Sequence, residues 1–156
     1  MNETRYHRAF GNCLRGSRGF SLIEMLLVFV IIAILAGIAI PSFMQMRMSQ
    51  EYRRTARDVN SALREARARA ITRNIANTVE IDSVGRRFCI MENGAPVHGW
   101  TALPAGVNFN ATTSMLFRPN GTSSSAANVV IGILDNSAVT KYQITVTPTG
   151  RVQISR

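Results

Sequence analysis

Acidic residues are scarce in this 156-residue chain: nine Asp and Glu stand against eighteen Lys and Arg, for a formal net charge of +9. Histidine and cysteine are scarcer still, with His7 and His98, Cys13 and Cys89. Beyond residue 76 the only acids are Glu80, Asp82, Glu92 and Asp135. No paired carboxylates, no nucleophile beside a base and no metal-ligand spacing emerge from so few groups. An enzyme is therefore not expected, and neither is a cofactor or a metal. Two cysteines permit at most one internal disulfide. Cys89 sits in the strand-like Arg87-Phe88-Cys89-Ile90-Met91, where a small buried hydrophobe is the expected role.

Long apolar runs are absent with one exception, and the exception organises the chain. Phe20 to Ile40 holds no basic residue and a single acid, Glu24. As a helix rising about 1.5 Å per residue, such a run spans one bilayer core of about 30 Å. It is too long for the apolar part of an ordinary signal peptide. Glu24 is the anomaly, because a carboxylate inside a membrane helix is costly and marks a function with a partner. The charge ahead of the run is positive. Residues 1–19 hold four Arg and one Glu, a net +3, which by the positive-inside rule keeps the N-terminus cytoplasmic and sends the rest across the membrane.

Pro41 interrupts the run, and a helix is expected to bend there and continue. From Met44 to Asn74 the pattern is amphipathic, with Ala56, Val59, Leu63, Ala66 and Ala70 on one face. Glu51, Asp58 and Glu65 form an acidic stripe, joined by Arg54–Asp58 and Glu65–Arg69 at i,i+4. Arg53, Arg57, Arg64 and Arg67 gather beside the apolar face. After Asn74 the period shortens. Strands are expected at 77–82, 87–91, 114–118, 129–134, 142–146 and 151–154, divided by turns such as Pro119-Asn120-Gly121 and Thr147-Pro148-Thr149-Gly150. The serine-rich stretch 122–127 reads as a flexible loop. Trp100, Leu103 and Phe109 read as core plugs, and His98 as a lone surface imidazole.

The fold class predicted is α+β: a long N-terminal helix, membrane-spanning in its first half and amphipathic in its second, packed on a small, mostly antiparallel β-sheet domain. The divisions are 1–19, a polar and basic N-terminal segment; 20–48, the transmembrane helix; 49–76, the amphipathic half; and 77–156, a β-rich head. In the final strand Arg151, Gln153 and Ser155 share one face, and Val152 and Ile154 turn to the core. With Arg156 and Lys141, that outer face makes a basic, amide-bearing tip suited to phosphate contacts.

Arg18-Gly19-Phe20-Ser21-Leu22-Ile23-Glu24, followed by the apolar run and Pro41, closely resembles the class III signal of type IV pilins and pseudopilins. The resemblance implies cleavage after Gly19 by a prepilin peptidase, N-methylation of Phe20, retention of the helix in the inner membrane, and assembly with other pilin subunits. A new α-amino group at Phe20 would be largely charged near neutral pH, a fit partner for Glu24 of a neighbouring subunit. Cys13 would be lost with the leader. The segment 54–74, the region from Cys89 to Gly99-Trp100, Phe117-Arg118-Pro119-Asn120-Gly121 and Gly150-Arg151 further resemble the GspH/FimT group of minor pilins and pseudopilins. That branch implies an S-shaped N-terminal helix carrying a small β-domain. In some FimT-like members it implies capture of double-stranded DNA for natural transformation through a C-terminal Gly-Arg-x-Arg pattern. Gly150 and Arg151 match; Gln153 stands at the second arginine position and removes one charge. The Ile40-Pro41-Ser42-Phe43 exit resembles the FimT side more than the GspH side, where a type II secretion pseudopilin would be implied.

Overall fold

The computed structural model describes residues 20–156. The leader, with the cleavage residue Gly19 and with Cys13, lies outside the described residues. The chain divides into two compact units, Met1–Pro41 and Ser42–Arg156.

The described part of the first unit is the apolar beginning of helix α1, Leu22–Arg73, 52 residues that run through Pro41 without a break. Ser21 precedes the helix, and its carbonyl accepts from the backbone N–H groups of Glu24 and Met25 at 3.0 and 3.2 Å. Ser21 and Glu24 thus occupy the first and last positions of the Ser-x-x-Glu capping pattern, and the carboxylate lies in the first turn, at the positive end of the helix dipole. The side chains that follow, from Met25 to Ile40, are almost all exposed. By length and composition this is a helix able to cross a membrane.

In the second unit, the remainder of α1 is covered by strands. These are β1 (Asn77–Asp82), β2 (Arg87–Glu92), β3 (Ala95–Pro96), β4 (Thr101–Ala102), β5 (Asn108–Phe109), β6 (Thr113–Phe117), β7 (Val129–Leu134), β8 (Thr140–Val146) and β9 (Val152–Ser155). The major strands fall within two residues of the predicted spans. Their arrangement differs from a single sheet. One sheet runs β3-β2-β1-β6 with β4 also on β2, the other runs β5-β7-β8-β9, and every pairing is antiparallel. The short β3, β4 and β5 carry no alternation long enough to be read from sequence.

Alternation in β1 explains why it is central. Val79 and Ile81 are wholly buried while Thr78, Glu80 and Asp82 are partly open, and the strand pairs on both sides. Ala56, Val59, Leu63, Ala66 and Ala70, the predicted helix face, are all 1% exposed or less. Tyr52, Thr55 and Ala62 widen that face. Together with Ile81, Met115, Phe117, Ile131, Ile133, Ile144 and Val146, these residues other than Thr55 form one apolar core. Burying a leucine there stabilises the fold by about 1.5–3 kcal/mol.

The seam between the sheets passes through Ser123. It is 4% exposed, bridges Phe117 of β6, donates its N–H to Pro148 O at 3.0 Å and its hydroxyl to Thr147 O at 3.2 Å. The first part of the serine-rich stretch is thus a structural crossing rather than the flexible loop expected from its composition. Of the expected core plugs, Phe109 is buried and Leu103 packs against the core, but Trp100 is 38% exposed and lies under the Arg87 guanidinium at 4.3 Å. Cys89 is buried as expected, and burial pushes its thiol pKa up. Leu63→Ala is expected to lower the stability of the head by about 2–5 kcal/mol, read from the denaturant midpoint, whereas Ala68→Ser on the exposed side of α1 should leave it nearly unchanged.

Candidate functional site

The turn joining β8 to β9 is built from Thr147-Pro148-Thr149-Gly150. Proline presets the backbone at the second position, and Gly150 adopts φ +78°, a left-handed conformation that side chains resist. Gly150 N–H donates to Thr147 O, Thr147 N–H donates to Arg151 O, and Arg151 N–H donates to the Thr147 hydroxyl at 3.1 Å. Space is as restrictive as conformation. A methyl group on Gly150 would collide with the Gly121 carbonyl oxygen and lie 2.8 Å from Arg67 Nε. Arg67 reaches this point from α1, donating from Nε to Gly121 O at 2.9 Å and from Nη2 to Thr149 O at 3.3 Å. Helix, β6 exit and final hairpin therefore meet at one arginine.

The meeting point opens into a groove of about 800 Å³ between α1 and β9, lined on the helix by Arg64, Arg67, Ala68 and Ile71 and on the strand side by Thr145 and residues 150–155. No acid lines it. Arg64 and Arg151 are exposed, and among the described residues neither forms an ion pair. With its amide turned toward the guanidinium, Gln153 accepts from Arg151 Nε and Nη2 at 3.1 and 2.8 Å. Gln153 thus holds the arginine beside it in place rather than adding a charge. Val152 points into the core at 7% exposure, but Ile154 is 39% exposed and joins Ile71 on the groove wall, beyond the cover that α1 provides.

The predicted tip is therefore divided. Arg151 and Gln153 share the groove, whereas Lys141 and Arg156 line a separate cleft of about 220 Å³ with Gln45, Ser49, Tyr52 and Tyr142. Lys141 is engaged with Asp135, Nζ to Oδ2 at 3.0 Å. The Asp135 carboxyl is held below its usual pKa first by the Val139 N–H and then by Lys141. Sequence periodicity kept the helix arginines apart from the C-terminal hairpin; the fold brings Arg64 and Arg67 to Arg151. The signal that could have joined them is the pair of turn glycines, Gly121 and Gly150, each at positive φ and each in contact range of Arg67.

His98 is not a solitary imidazole. Its Nε2 lies 3.0 Å from Glu65 Oε1 and 2.9 Å from Arg69 Nη2, and Arg69 Nε donates to the same Glu65 oxygen at 2.8 Å. The His98 hydrogen bond is the main reason that the Glu65 pKa is lowered, with Arg69 adding to it and partial desolvation opposing it. This cluster ties the loop between β3 and β4 to the helix. A second tie missed by sequence is Arg86, at φ +50°, which donates to the carbonyls of Pro104 at 2.6 Å and Val107 at 3.1 Å. Glu24 is exposed in the first turn of α1, with no other charged residue in that helix before Arg47.

An apolar N-terminal helix whose continuation is packed under antiparallel sheets defines the pilin and pseudopilin class of filament subunits. Within that class the chain belongs to the GspH family, whose model, described as type II transport protein GspH, matches residues 55–150; the prokaryotic N-terminal methylation motif matches residues 14–40. The resemblance seen in the sequence is borne out. This is a family of structural subunits and not of enzymes. Two solved structures show the same fold. The type IV minor pilin FimU of Pseudomonas aeruginosa aligns at 20% identity and a TM-score of 0.55, over 67% of this chain and 92% of that one. The minor pseudopilin EpsH of the type 2 secretion system of Vibrio cholerae aligns at 14% identity and 0.54, over 67% and 94%. None of the curated proteins compared matches the chain significantly.

Gly150→Ala is expected to cost about 1–3 kcal/mol through backbone strain, and more through the collision with Gly121. Gly94, at the same φ of +78° but in open space, isolates the strain alone. Denaturation midpoints should therefore fall further for Gly150→Ala than for Gly94→Ala; equal losses would show that the close approach has no energetic weight.

Proposed function

We propose that the chain is a minor type IV pilin, a structural subunit that supports assembly of the filament. Prepilin peptidase removes residues 1–19 by cleaving after Gly19, and Phe20 becomes the N-methylated first residue. The apolar part of α1 holds the subunit in the inner membrane, N-terminus cytoplasmic and head periplasmic, until it is drawn into a filament of other pilin subunits. The observation that carries the assembly role is Glu24, exposed in the first helical turn and isolated in apolar sequence, where the α-amino group of Phe20 on a neighbour is a partner of the right charge. Glu24→Ala should leave the protein in the membrane but absent from sheared filaments, scored by immunoblot of both fractions; normal incorporation would disprove the pairing.

A DNA-contacting role is the second element of the proposal, and the groove supports it. Arg64, Arg67 and Arg151 converge without an acid among them, and no aromatic side chain lines the groove to stack on bases. That chemistry suits the phosphate backbone of double-stranded DNA, bound without sequence readout. It also favours a pilus subunit over the alternative, a type II secretion minor pseudopilin, which has no need of nucleic acid. In fluorescence anisotropy of the head fragment, residues 50–156, affinity for a duplex should fall linearly in log salt. Arg64→Gln/Arg151→Gln should reduce the slope by about two units, at roughly 0.9 per phosphate contact. Lys141→Gln/Arg156→Gln, in the other cleft, should leave it unchanged. Absence of binding at low salt would remove the DNA role and leave a structural subunit whose filament, pilus or secretion pseudopilus, is decided by its partners.

A further inference from the structure

Two turns of the head are built alike. Between β1 and β2, Asp82 Oδ1 accepts from the N–H groups of Val84 and Gly85 at 3.1 and 2.8 Å, and its Oδ2 accepts from Arg87 Nε at 3.1 Å. Between β7 and β8, Asp135 Oδ1 accepts from the N–H groups of Ser137 and Val139, both at 2.9 Å, and its Oδ2 pairs with Lys141 Nζ at 3.0 Å. Each aspartate thus satisfies the N–H of a valine and is itself neutralised by a cation beyond the turn. The valine side chains are left open, Val84 at 90% exposure and Val139 at 51%. A single exposed valine is ordinary. Two of them, each on a turn whose acid and valine N–H are already matched, suit a surface that enters a less polar medium, where an unpaired carboxylate or N–H is costly.

Both turns lie at the end of the head where α1 enters it. Arg86, beside the first turn, donates to the carbonyls of Pro104 and Val107. Between those two, Gly106 lies so close to Met48 that a side chain there would strike it, and its carbonyl oxygen is 3.4 Å from the Tyr52 hydroxyl. Lys141, after the second turn, shares its cleft with Gln45, Ser49, Tyr52 and Arg156. Met48 is eight residues past Ile40, about 12 Å of helix. Phe43, Met44 and Met46 in that interval are exposed, and the first cation of α1 is Arg47. Around the two turns Arg47, Arg86, Arg87, Lys141 and Arg156 stand with three acids, Glu51, Asp82 and Asp135, a balance of five against three, or +2. Arg47 and Arg156 are exposed and form no ion pair among the described residues.

We infer that this end of the head is a docking surface for anionic phospholipid in the leaflet from which α1 emerges, an inference that rests on the membrane placement proposed above. Before assembly, the Val84 and Val139 turns enter the lipid interface, and Arg47 and Arg156 meet headgroup phosphates. A headgroup layer of about 5–7 Å flanks the hydrocarbon core, within reach of long side chains near Met48. Each contact is weak alone. The apolar part of α1 confines the head to the membrane, and such a tether supplies the effective concentration that two valines and a net +2 require. A fragment without that tether does not hold phosphate here, in keeping with the silence expected of Lys141 and Arg156 toward a duplex. Arg67, in the groove, is nineteen residues beyond Met48, about 28 Å along the helix. Docking at one end therefore keeps the arginine groove clear of the anionic surface.

The test uses the full chain reconstituted in vesicles, with Cys89→Ser to remove the buried thiol. One fluorophore is placed on Val84→Cys, on Val139→Cys or, as the distant exposed control, on Ala68→Cys. The vesicles are phosphatidylcholine with or without phosphatidylglycerol, and a nitroxide-bearing lipid serves as quencher. With phosphatidylglycerol, quenching at both turns should exceed that at Ala68 several-fold. Quenching at either turn no greater than at Ala68 would overturn the docking. Arg47→Gln/Arg156→Gln should lower quenching at both turns at least twofold in the anionic vesicles. No loss in that variant, or equal quenching in the two lipids, would overturn the headgroup contact. A chain that floats with the vesicles yet shows no excess at the turns defeats this inference alone. A chain that does not float with them defeats the membrane reading beneath it.

Discussion

The head rests on one constraint: α1 must present a face thin enough for two sheets to reach it at once. Ala56, Ala66 and Ala70 meet this by ending at Cβ, while Val59 and Leu63 fill the space between them. Interiors are packed as closely as organic crystals, so small and large residues at these positions are not interchangeable. The sheets then contribute complementary bulk, with Phe117, Met115, Ile131 and Ile144 all sealed from solvent. The apolar end of the same helix differs in that its apolar side chains lie on every side and are exposed within the subunit, as suits a segment whose neighbours are lipid tails or other helices. One helical element thus carries two solutions to the burial of apolar surface.

The basic groove depends on that packing. Arg67 is positioned by the turn of helix between Ala66 and Ala70, and from there it accounts for two otherwise unpaired carbonyls, Gly121 O and Thr149 O. Glycine at 121 and 150 is the price of bringing those carbonyls so near the helix. Arg151 follows directly, just ahead of β9, where the Gln153 amide accepts from its guanidinium. The arginine pair exposed to solvent, Arg64 and Arg151, is therefore mounted on rigid elements, which lowers the ordering cost of meeting an anion.

Much of this was legible from residue pattern. The helix face from Ala56 to Ala70, the Arg54–Asp58 and Glu65–Arg69 pairs, and the strands at 77–82 and 129–134 are all governed by local periodicity, and all stand as expected. What escaped was long-range. The strands divide into two sheets that meet at Ser123, a small polar residue whose burial no periodicity announces. Ile154 alternates correctly but lies past the edge of the helix that covers Val152. His98 found Glu65 thirty-three residues away, and Arg151 and Arg156, five residues apart, line different clefts. Alternation says which way a side chain turns, and not what waits there. The leader, with Gly19, lies outside the described residues.

The Ser123 crossing has a mechanical meaning. A subunit pulled along its helix transmits tension to whatever grips the head, and a hairpin loaded from its end peels one hydrogen bond at a time. Ser123 is bonded to Pro148 and Thr147 in the final hairpin's turn while its own segment bridges β6. Load entering either sheet is shared with the other before a single strand can detach. The two sheets of the head should therefore carry tension together rather than one after the other.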